Sequence, residues 1–361
     1  MNQEIKQRAE KLKQEIQKHN YNYYVLDSPT VSDEMWDSLM RELIQLENKY
    51  PELYDPNSPT QRVGGEPLKA FKKHTHLIRM ASLDDKKTKE DVIEWEKRNK
   101  NLLNKDFQYY AEYKYDGLSL ALIYENNQLS VAATRGNGKI GENVTENART
   151  IKTIPLVLPS KSELIKKLKE FNLDHIIQYI EKNNVHKIEI RGEIVLTKKE
   201  FIKLNKIQEK ENKPIYANPR NVAAGSIRQL SSKITASRKL SFYPWSMITN
   251  LGQKTHSEEH LIIEALGFKS NYAINKICNN IQEVFDFYEK INKQRDKLDY
   301  EIDGLVVRVN NNQDYIVKNS FLESHEDGLA VKSFVWSGYP ANMQPIQESK
   351  RMKKVIDNTF N

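Results

Sequence analysis

The segment from Leu118 to Gly136, LSLALIYENNQLSVAATRG, most constrains the fold of this chain. Two runs of apolar and β-branched residues flank Glu125-Asn126-Asn127, and asparagine tolerates the left-handed backbone of tight turns. The segment therefore predicts an antiparallel hairpin. Four further runs have the composition of strands: FQYYAEYK, HKIEIRGEIVL, LSFYPWSMI and YEIDGLVVRVN. Because they alternate irregularly with helical segments, we predict an α+β fold with antiparallel sheets and no βαβ repeat.

The N-terminal region has a separate helical pattern. Its first residues place apolar side chains at helical spacing, and Ser32 is a candidate N-cap for a second helix that Pro51 ends. The connector DPNSPTQRVGGEPL contains the prolines and glycines typical of a boundary between domains. We therefore expect a small helical domain over 1–68, a larger domain over 69–335 and a tail over 336–361.

Helices are also expected within the larger domain. The pattern Thr197-x-x-Glu200 is a capping box, which predicts the start of a helix. Apolar spacing predicts two more helices near 257–267 and 280–295. The stretch over 160–185 is highly charged, so we expect a surface helix there.

The composition narrows the class of partner. The formal net charge is +7 and the isoelectric point is near 9.0, which favours a polyanion such as nucleic acid. The alternative is that many lysines pair with glutamates on solvated helix faces. The one cysteine, Cys278, excludes a multi-cysteine zinc site within this chain, and we expect no zinc in it. No apolar run is long enough to span a membrane, and the charged N-terminus is no secretory signal, so we expect a cytoplasmic protein.

One lysine stands at the end of a strand-like run. Lys114 lies in AEYKYDG beside Asp116, and three similar junctions with glycine follow: TRGNG around Arg135, RGE ending at Glu193 and DGLVVR ending at Arg308. Glycine lets a phosphate or a sugar approach the backbone closely. A lysine amine attacks phosphorus only when unprotonated, a state that neighbouring arginines favour. The alternatives are an ordinary surface lysine, and arginines paired with Asp116 or Glu193.

In this order, the four motifs resemble those of the nucleotidyltransferase superfamily of DNA ligases, RNA ligases and capping enzymes, whose signature is Lys-x-Asp-Gly. The resemblance implies a nucleotidyltransferase fold, similar to ATP-grasp proteins and built on antiparallel sheets. It also implies that Lys114 is the nucleophile, which becomes attached to a nucleoside monophosphate through a phosphoramide.

The N-terminal helices indicate which branch of the superfamily the chain resembles. Their aromatic and acidic residues look like the small domain of bacterial-type NAD-dependent DNA ligases, which holds the nicotinamide mononucleotide half of NAD. The residues that the resemblance assigns to this platform are Tyr23, Tyr24, Asp33, Glu34, Met35, Trp36 and Asp37. The alternative for the three aromatic residues is packing between two helices.

Other signatures are similar to the same branch. HLIRMASLDD resembles the segment beside the adenosine, here with Ser82 and Leu83, and Trp245 falls where the family has an aromatic ring that stacks on adenine. The stretch from Tyr216 to Gln229 is close to the most distinctive stretch of the family. Its Arg220 and Arg228 are therefore candidates for contacts with DNA phosphates or nicotinamide mononucleotide.

The resemblance implies a reaction and its partners. Lys114 attacks the α-phosphate of NAD, nicotinamide mononucleotide leaves, and adenylate then passes to the 5′-phosphate of nicked double-stranded DNA. Glu112 recognises adenine, Arg135 and Glu193 hold the ribose, and Arg308 contacts the phosphate. Asp116 belongs to the catalytic set. Mg²⁺ or Mn²⁺ neutralises phosphate oxygens, and we expect a monomer that does not bind membranes.

The sequence departs from the family pattern at three places. Arg308 stands where the family has a lysine, and a planar guanidinium is no simple substitute for an amine. The charged stretch over 160–185 is an insertion. The tail differs most: spacing favours Lys332 as the lysine of the last motif, whereas aligning Tyr339-Pro340-Ala341 places Gly338 there. The expected C-terminal modules do not follow, which we interpret as a truncated or frame-disrupted gene or a naturally short variant, with nick joining impaired.

Two other functions remain open from the sequence. One is an ATP- or GTP-dependent relative such as an RNA ligase or a capping enzyme, against which the N-terminal platform argues. The other is an inactive remnant that only binds nucleic acid or a partner.

Overall fold

The computed structural model describes residues 3–24, 26, 28, 30–62, 70–81, 83–86, 88–270, 272–316 and 334–336. Four predictions fall outside the described residues: the domain boundary at 68, Ser82, Lys332 and the tail beyond Trp336. The side chains of Tyr24 and Asp33 are also outside the description, although both residues lie within helices.

The N-terminal residues form a helical unit. It consists of α1 (Gln3–Tyr24), α2 (Asp33–Lys49) and two 3-10 turns (Pro51–Leu53 and Pro59–Arg62). Ser32 caps α2 as expected, because its hydroxyl accepts a hydrogen bond from the backbone N–H of Met35. The helices enclose a small core of their own, formed by Ala9, Leu12, Ile16, Leu43 and Leu53.

The rest of the chain mixes helices and strands. In chain order the elements are β1 (Lys73–Thr75), β2 (Asp84–Lys86), α3 (Lys89–Leu103), β3 (Tyr109–Tyr115), β4 (Leu118–Glu125), β5 (Gln128–Thr134), β6 (Ile140–Glu142), α4 (Thr145–Arg149), α5 (Lys161–Glu170), α6 (Asp174–Lys182), β7 (Lys187–Val195), α7 (Lys198–Lys210), α8 (Pro219–Ile227), α9 (Ser232–Ser237), β8 (Ser241–Met247), α10 (His256–Ala265), β9 (Lys276–Cys278), α11 (Ile281–Gln294), a 3-10 turn (Arg295–Lys297), β10 (Ile302–Val309), α12 (Asn312–Ile316) and β11 (Phe334–Trp336).

The described strands form three sheets. One sheet has the order β5-β4-β7-β8, a second has the order β2-β11-β10-β3-β9, and β1 pairs with β6. Every pair is antiparallel except β11 with β2. The predicted α+β fold with antiparallel sheets is therefore confirmed.

The hairpin that the sequence predicts is β4–β5. Asn126 and Asn127 turn it with φ values of 50° and 65°, the left-handed region that asparagine tolerates. Just before β4, Gly117 packs against β7 so closely that a Cβ atom there would overlap the carbonyl oxygen of Ile194. The glycine of the KYDG sequence is thus required by the contact between these strands.

The two larger sheets each bury one face in a core. On their other faces, Lys114 of β3 and Glu193 of β7 are close enough for their charges to act on one another, and the space between them is called the cleft. On β3, Tyr109, Ala111 and Tyr113 join a core that includes side chains of α3 and α11. On β4, Leu120 and Leu122 join a separate core. Because side chains alternate along a strand, Lys114 and its neighbours on the even positions of β3 lie on the other face.

The charged stretch over 160–185 is not the surface helix that the sequence predicts. It forms two helices, α5 and α6, and their apolar sides enter the main core. The buried residues are Leu164, Leu168, Leu173, Ile176, Ile177 and Ile180. The lysines that dominate the composition occupy only the outer faces, so the stretch is part of the packed domain.

The helical unit is joined to the larger domain through buried polar contacts. Arg62 donates hydrogen bonds to the carbonyl oxygens of Arg149, Ile151 and Ile154, each at 3.0 Å. Asn57 donates to the side chain of Gln128 at 3.3 Å. No helix within the described residues is long and apolar enough to cross a membrane.

Candidate active site

The cleft between the two larger sheets holds the predicted nucleophile. Glu112 and Lys114 lie on one face of β3, while Ser119 and Glu193 lie on strands of the opposing sheet. The amine of Lys114 donates a short hydrogen bond to Oδ2 of Asp303, at the start of β10, and both side chains are about one third exposed at 28% and 32%. The lysine is therefore held in place and remains accessible from the cleft.

Asp303 opens the DGLVVR motif, but it is not among the predicted site residues. Its second carboxylate oxygen, Oδ1, is buried and accepts no hydrogen bond from the described residues. Leaving a buried oxygen unpaired costs free energy, so the position favours a ligand that supplies a hydrogen or a positive charge. The Asp-Gly pair at the start of β10 was the signal that could have identified it.

Acidic side chains crowd the space around Lys114. Ser119 donates a hydrogen bond to Glu193 at 2.9 Å, and Arg220 donates one to Asp116 at 3.2 Å. Burial raises the pKa of Glu193 to about 7, and the negative charge of Asp303 adds to this rise, while Ser119, Lys114 and Arg220 oppose it. Burial, together with Asp303, likewise raises the pKa of Asp116, against the effect of Arg220 and Lys114. Both carboxyl groups are thus held in surroundings that disfavour their ionised form.

The turn after β5 brings Arg135 to the same region. Its backbone N–H donates to the carbonyl oxygen of Ser119, whose hydroxyl contacts Glu193. Gly136 has a φ of +55°, and a Cβ atom there would overlap the carbonyl oxygen of Ile140. The predicted pairing of Arg135 with Glu193 around one ligand is compatible with this placement, and their roles stay predictions.

The sheet register separates Arg308 from Lys114. Arg308 lies opposite Tyr110, and Val306 lies opposite Glu112. Tyr110 and Lys114 are four residues apart on β3, which is about 13 Å of strand. Arg308 is buried, and its guanidinium donates to Asn312 at 3.5 Å. In this structure Arg308 therefore lies toward the Glu112 side of the cleft, and its contact with the phosphate stays a prediction.

Two histidines that are not among the predicted site residues lie beside Glu112. Its two carboxylate oxygens lie 3.4 Å from Nε2 of His256 and 3.0 Å from Nε2 of His260. Burial alone would raise the pKa of Glu112, but the charges of, and hydrogen bonds from, His260 and His256 outweigh it and hold the pKa below its ordinary value. The carboxylate is thus kept ionised and able to accept hydrogen bonds.

The remaining predicted residues of the larger domain lie on or beside other strands and helices. Trp245 is partly exposed on β8 at an irregularity opposite Arg191 and Gly192. Leu83 is 42% exposed just before β2. Arg228 pairs with Glu142 of β6 at 3.1 Å, with both side chains largely exposed.

The predicted platform in the helical unit is split between core and surface. Trp36 packs against the small core, and its indole N–H donates to Asn20 at 3.0 Å. Tyr23 and Met35 are half exposed, and Glu34 and Asp37 are exposed. Core packing, the alternative that the sequence left open, therefore applies to Trp36, while the other described members of the platform have accessible side chains.

Comparisons with known proteins agree with these motifs. Residues 68–173 and 171–317 match the NAD-dependent DNA ligase adenylation domain, and residues 2–64 match the N-terminal NAD+-binding domain of DNA ligase-like proteins. A DNA ligase of Acetivibrio thermocellus is 38% identical over 94% of this chain and 47% of its own length. DNA ligases of Thermosipho africanus and Thermotoga neapolitana are 44% and 43% identical over 85% of this chain and 43% and 41% of their own lengths.

The curated relatives support an assignment to a family, whereas the solved structures do not. The chain spans about half or less of the length of the relatives, 41–47%. A solved structure titled Pmar-Lig_Pre. covers 82% of this chain and 49% of its own at 11% identity and a TM-score of 0.31, and a similarity this low carries no argument. The matched domains cover most of the chain and include every motif around Lys114. This chain therefore belongs to the family of NAD-dependent DNA ligases.

Proposed function

We propose that this chain transfers adenylate from NAD to its own Lys114 as the first step of DNA nick joining. The observation that carries the proposal is the amine of Lys114, held by Asp303 in an accessible cleft two residues from the buried, ionised Glu112. This spacing allows one ligand to meet both side chains, with its base at Glu112 and its α-phosphate at Lys114.

The reaction needs a neutral amine and a leaving group. The ammonium group first loses a proton, for which Oδ2 of Asp303 is the nearest described acceptor. The nitrogen then forms a bond to the α-phosphorus, and the bond from that phosphorus to nicotinamide mononucleotide breaks. Arg135 and Glu193 hold the ribose, and Arg308 contributes positive charge from the Glu112 side of the cleft.

The donor set near Lys114 fits a magnesium or manganese ion. Asp116, Glu193 and Asp303 offer carboxylate oxygens, the ligands that such hard cations prefer, and Oδ1 of Asp303 is unpaired among the described residues. When bound, the ion would neutralise phosphate oxygens. These residues would hold it, and its charge would offset the acidic crowding of the cleft.

The polymer substrate proposed for later steps is nicked double-stranded DNA. Arg220 is half exposed beside Asp116, and Arg228 is exposed on the same helical stretch, so both are available to contact phosphates. The net charge of +7 favours the same partner. We also propose that the chain acts as a monomer, with residues 1–68 binding the nicotinamide half. The cytoplasmic location stays a prediction.

The test is the intact mass of the chain after incubation with NAD and Mg²⁺. We expect one adenylate per chain, none with Lys114→Ala, and an unchanged yield with Lys199→Ala, which removes an exposed lysine of α7. ATP in place of NAD should give no adduct. An equal adduct on the Lys114→Ala variant would disprove the nucleophile, and an adduct from ATP alone would favour the ATP-dependent relatives.

A further inference from the structure

We propose that Glu112, His256 and His260 form a binding site for one transition-metal dication of the zinc class. The site is distinct from the carboxylates proposed for magnesium, and its donors come from the middle of β3 and the first turns of α10.

The donor atoms lie close enough together to hold one ion. Nε2 of His256 lies 3.3 Å from Nε2 of His260, Oε1 of Glu112 lies 3.4 Å from the first nitrogen, and Oε2 of Glu112 lies 3.0 Å from the second. With one donor atom taken from each residue, all three lie within 4.8 Å of one another. Ligands at zinc–nitrogen and zinc–oxygen lengths of about 2.0–2.1 Å on a tetrahedron are about 3.3 Å apart. One ion can therefore reach all three side chains with little movement.

The local fold presets this triangle. His256 and His260 are four residues apart on α10, so their rings lie on the same helix face one turn apart. The first turn is secured by a capping box in which Thr255 and Glu258 exchange hydrogen bonds with the backbone. The ring of Tyr110 stacks on His260 with centroids 5.0 Å apart, which fixes the plane of that ring.

A second carboxylate completes the arrangement found around metal-bound histidines. Oε2 of Glu259 lies 2.9 Å from Nδ1 of His256, and Ser246 donates to the same oxygen at 3.4 Å. A carboxylate on one ring nitrogen orients the lone pair of the other toward an ion. Glu259 also supplies negative charge. Together with Glu112 it balances the two charges of one dication, in a region where Arg308 adds a further positive charge.

The donor chemistry selects the class of ion. Imidazole nitrogens with one carboxylate suit zinc and its neighbours, whereas magnesium requires oxygen ligands in an octahedron. Three protein ligands leave one position of a tetrahedron for water or another small ligand. The expectation of no zinc rests on the single cysteine and therefore covers cysteine ligands alone. A His-x₃-His spacing was visible, but its partner lies 144 residues from His256.

A bound ion would compete with NAD, and this consequence rests on the proposed function. The ion takes up the carboxylate of Glu112, which the proposed function assigns to the adenine. Metal and NAD should therefore exclude each other from this side of the cleft.

The first test uses Co²⁺ as the probe, because tetrahedral Co²⁺ has strong visible absorption bands and Zn²⁺ displaces it. The full chain, freed of metal by a chelator, should bind one Co²⁺ with these bands. His260→Gln should weaken binding at least tenfold, and so should His256→Gln. The matched control is His74→Gln, which alters the other described histidine pair, His74 with His76. Binding that is lost with His74→Gln instead, or no binding at one equivalent, would overturn the proposal.

Two further measurements keep the result independent of variant folding. Zn²⁺ should raise the melting temperature of the unaltered chain relative to chelator, since an ion that binds only the native state stabilises it; an unchanged melting temperature would count against the site. NAD added without Mg²⁺ should remove the Co²⁺ bands, and their persistence at saturating NAD would refute the competition. Because Co²⁺ binding is measured without NAD, its failure would leave the proposed adenylation intact.

Discussion

At the residue scale, neighbouring carboxyl groups dominate the surroundings of Lys114. Burial is the main cause of the raised pKa values of Asp116 and Glu193, because it disfavours the charged form of a carboxyl group, and the charge of Asp303 adds to the rise. The charges of Lys114 and Arg220 oppose the rise at both groups, and Ser119 also opposes it at Glu193. A ligand that brings positive charge would oppose the rise further, which is why the same residues suit a hard dication.

We expect Glu193→Gln to stabilise the protein more at pH 8 than at pH 5. The pKa of Glu193 is about 7 in the folded protein, against an ordinary value of 4.5 in the unfolded chain. As pH rises from 4.5 to 7, the unfolded chain loses this proton first, so the stability of the unaltered protein falls. Glutamine removes this loss. Urea unfolding should show a gain at pH 8 that exceeds the gain at pH 5 by on the order of 1–3 kcal/mol.

The control for this experiment is Glu209→Gln, which alters an exposed carboxylate on α7. Its effect on the free energy of unfolding should be small at both pH values. If Glu193→Gln changed the free energy of unfolding by the same amount at pH 5 and pH 8, a raised pKa of Glu193 in the folded protein would be ruled out.

At the scale of single elements, Gly117 allows the chain that follows Lys114 to pass close to the backbone of β7. We expect Gly117→Ala to destabilise the protein by about 1–3 kcal/mol, because the new Cβ atom would overlap the backbone of β7 at Ile194. The matched control is Gly225→Ala in α8, where nothing lies within 4 Å of the added atom. That change should stabilise the helix by about 0.5–1 kcal/mol. Thermal unfolding of both variants measures the contrast, and equal effects would contradict it.

The helices α5 and α6 should behave as core elements. Ile176 is fully buried in the main core, so Ile176→Ala should cost about 2–5 kcal/mol of folding free energy. Glu181→Ala, on the exposed side of α6, should change stability by less than about 0.5 kcal/mol. Denaturant unfolding compares the two. If Ile176→Ala lowered the free energy of unfolding only slightly, the surface helix that the charged composition predicts would be the better description.

Features that depend on residues close in sequence could be predicted, whereas contacts between distant segments could not. The hairpin at Asn126-Asn127 and the Ser32 cap depend on neighbouring residues, and both are confirmed. The burial of α5 and α6 was missed because exposed lysines obscured a narrow apolar stripe. The position of Arg308 depends on the register between β3 and β10, which no local pattern specifies. The histidines beside Glu112 were missed because α10 and β3 are far apart in the sequence.

At the scale of the whole molecule, the helical unit has its own core and a polar attachment to the rest. Its apolar cluster is separate from the two larger cores. The attachment depends on Arg62, whose guanidinium satisfies carbonyl oxygens of the larger domain at Arg149, Ile151 and Ile154. A deletion that removes the helices but keeps Arg62 therefore leaves those buried carbonyls paired.

We expect deletion of residues 1–60 to abolish adenylation by NAD while the remaining domain stays folded. The deleted helices carry the proposed platform for the nicotinamide half, and the reaction depends on aligning that leaving group with Lys114. Circular dichroism and a cooperative melting transition check the fold, and intact mass after incubation with NAD measures the adduct.

A milder change within the intact unit separates loss of the platform from loss of structure. Glu34 and Asp37 are exposed on α2, so their joint replacement by alanine should keep the fold and slow adduct formation at low NAD concentration by at least tenfold. Gln45→Ala, also exposed on α2, is the matched control and should leave the rate unchanged. Saturating NAD should restore part of the rate of the double variant, because the lost contacts act in binding. A deletion variant that reacts with NAD as fast as the full chain would show that α1 and α2 do not hold the leaving half.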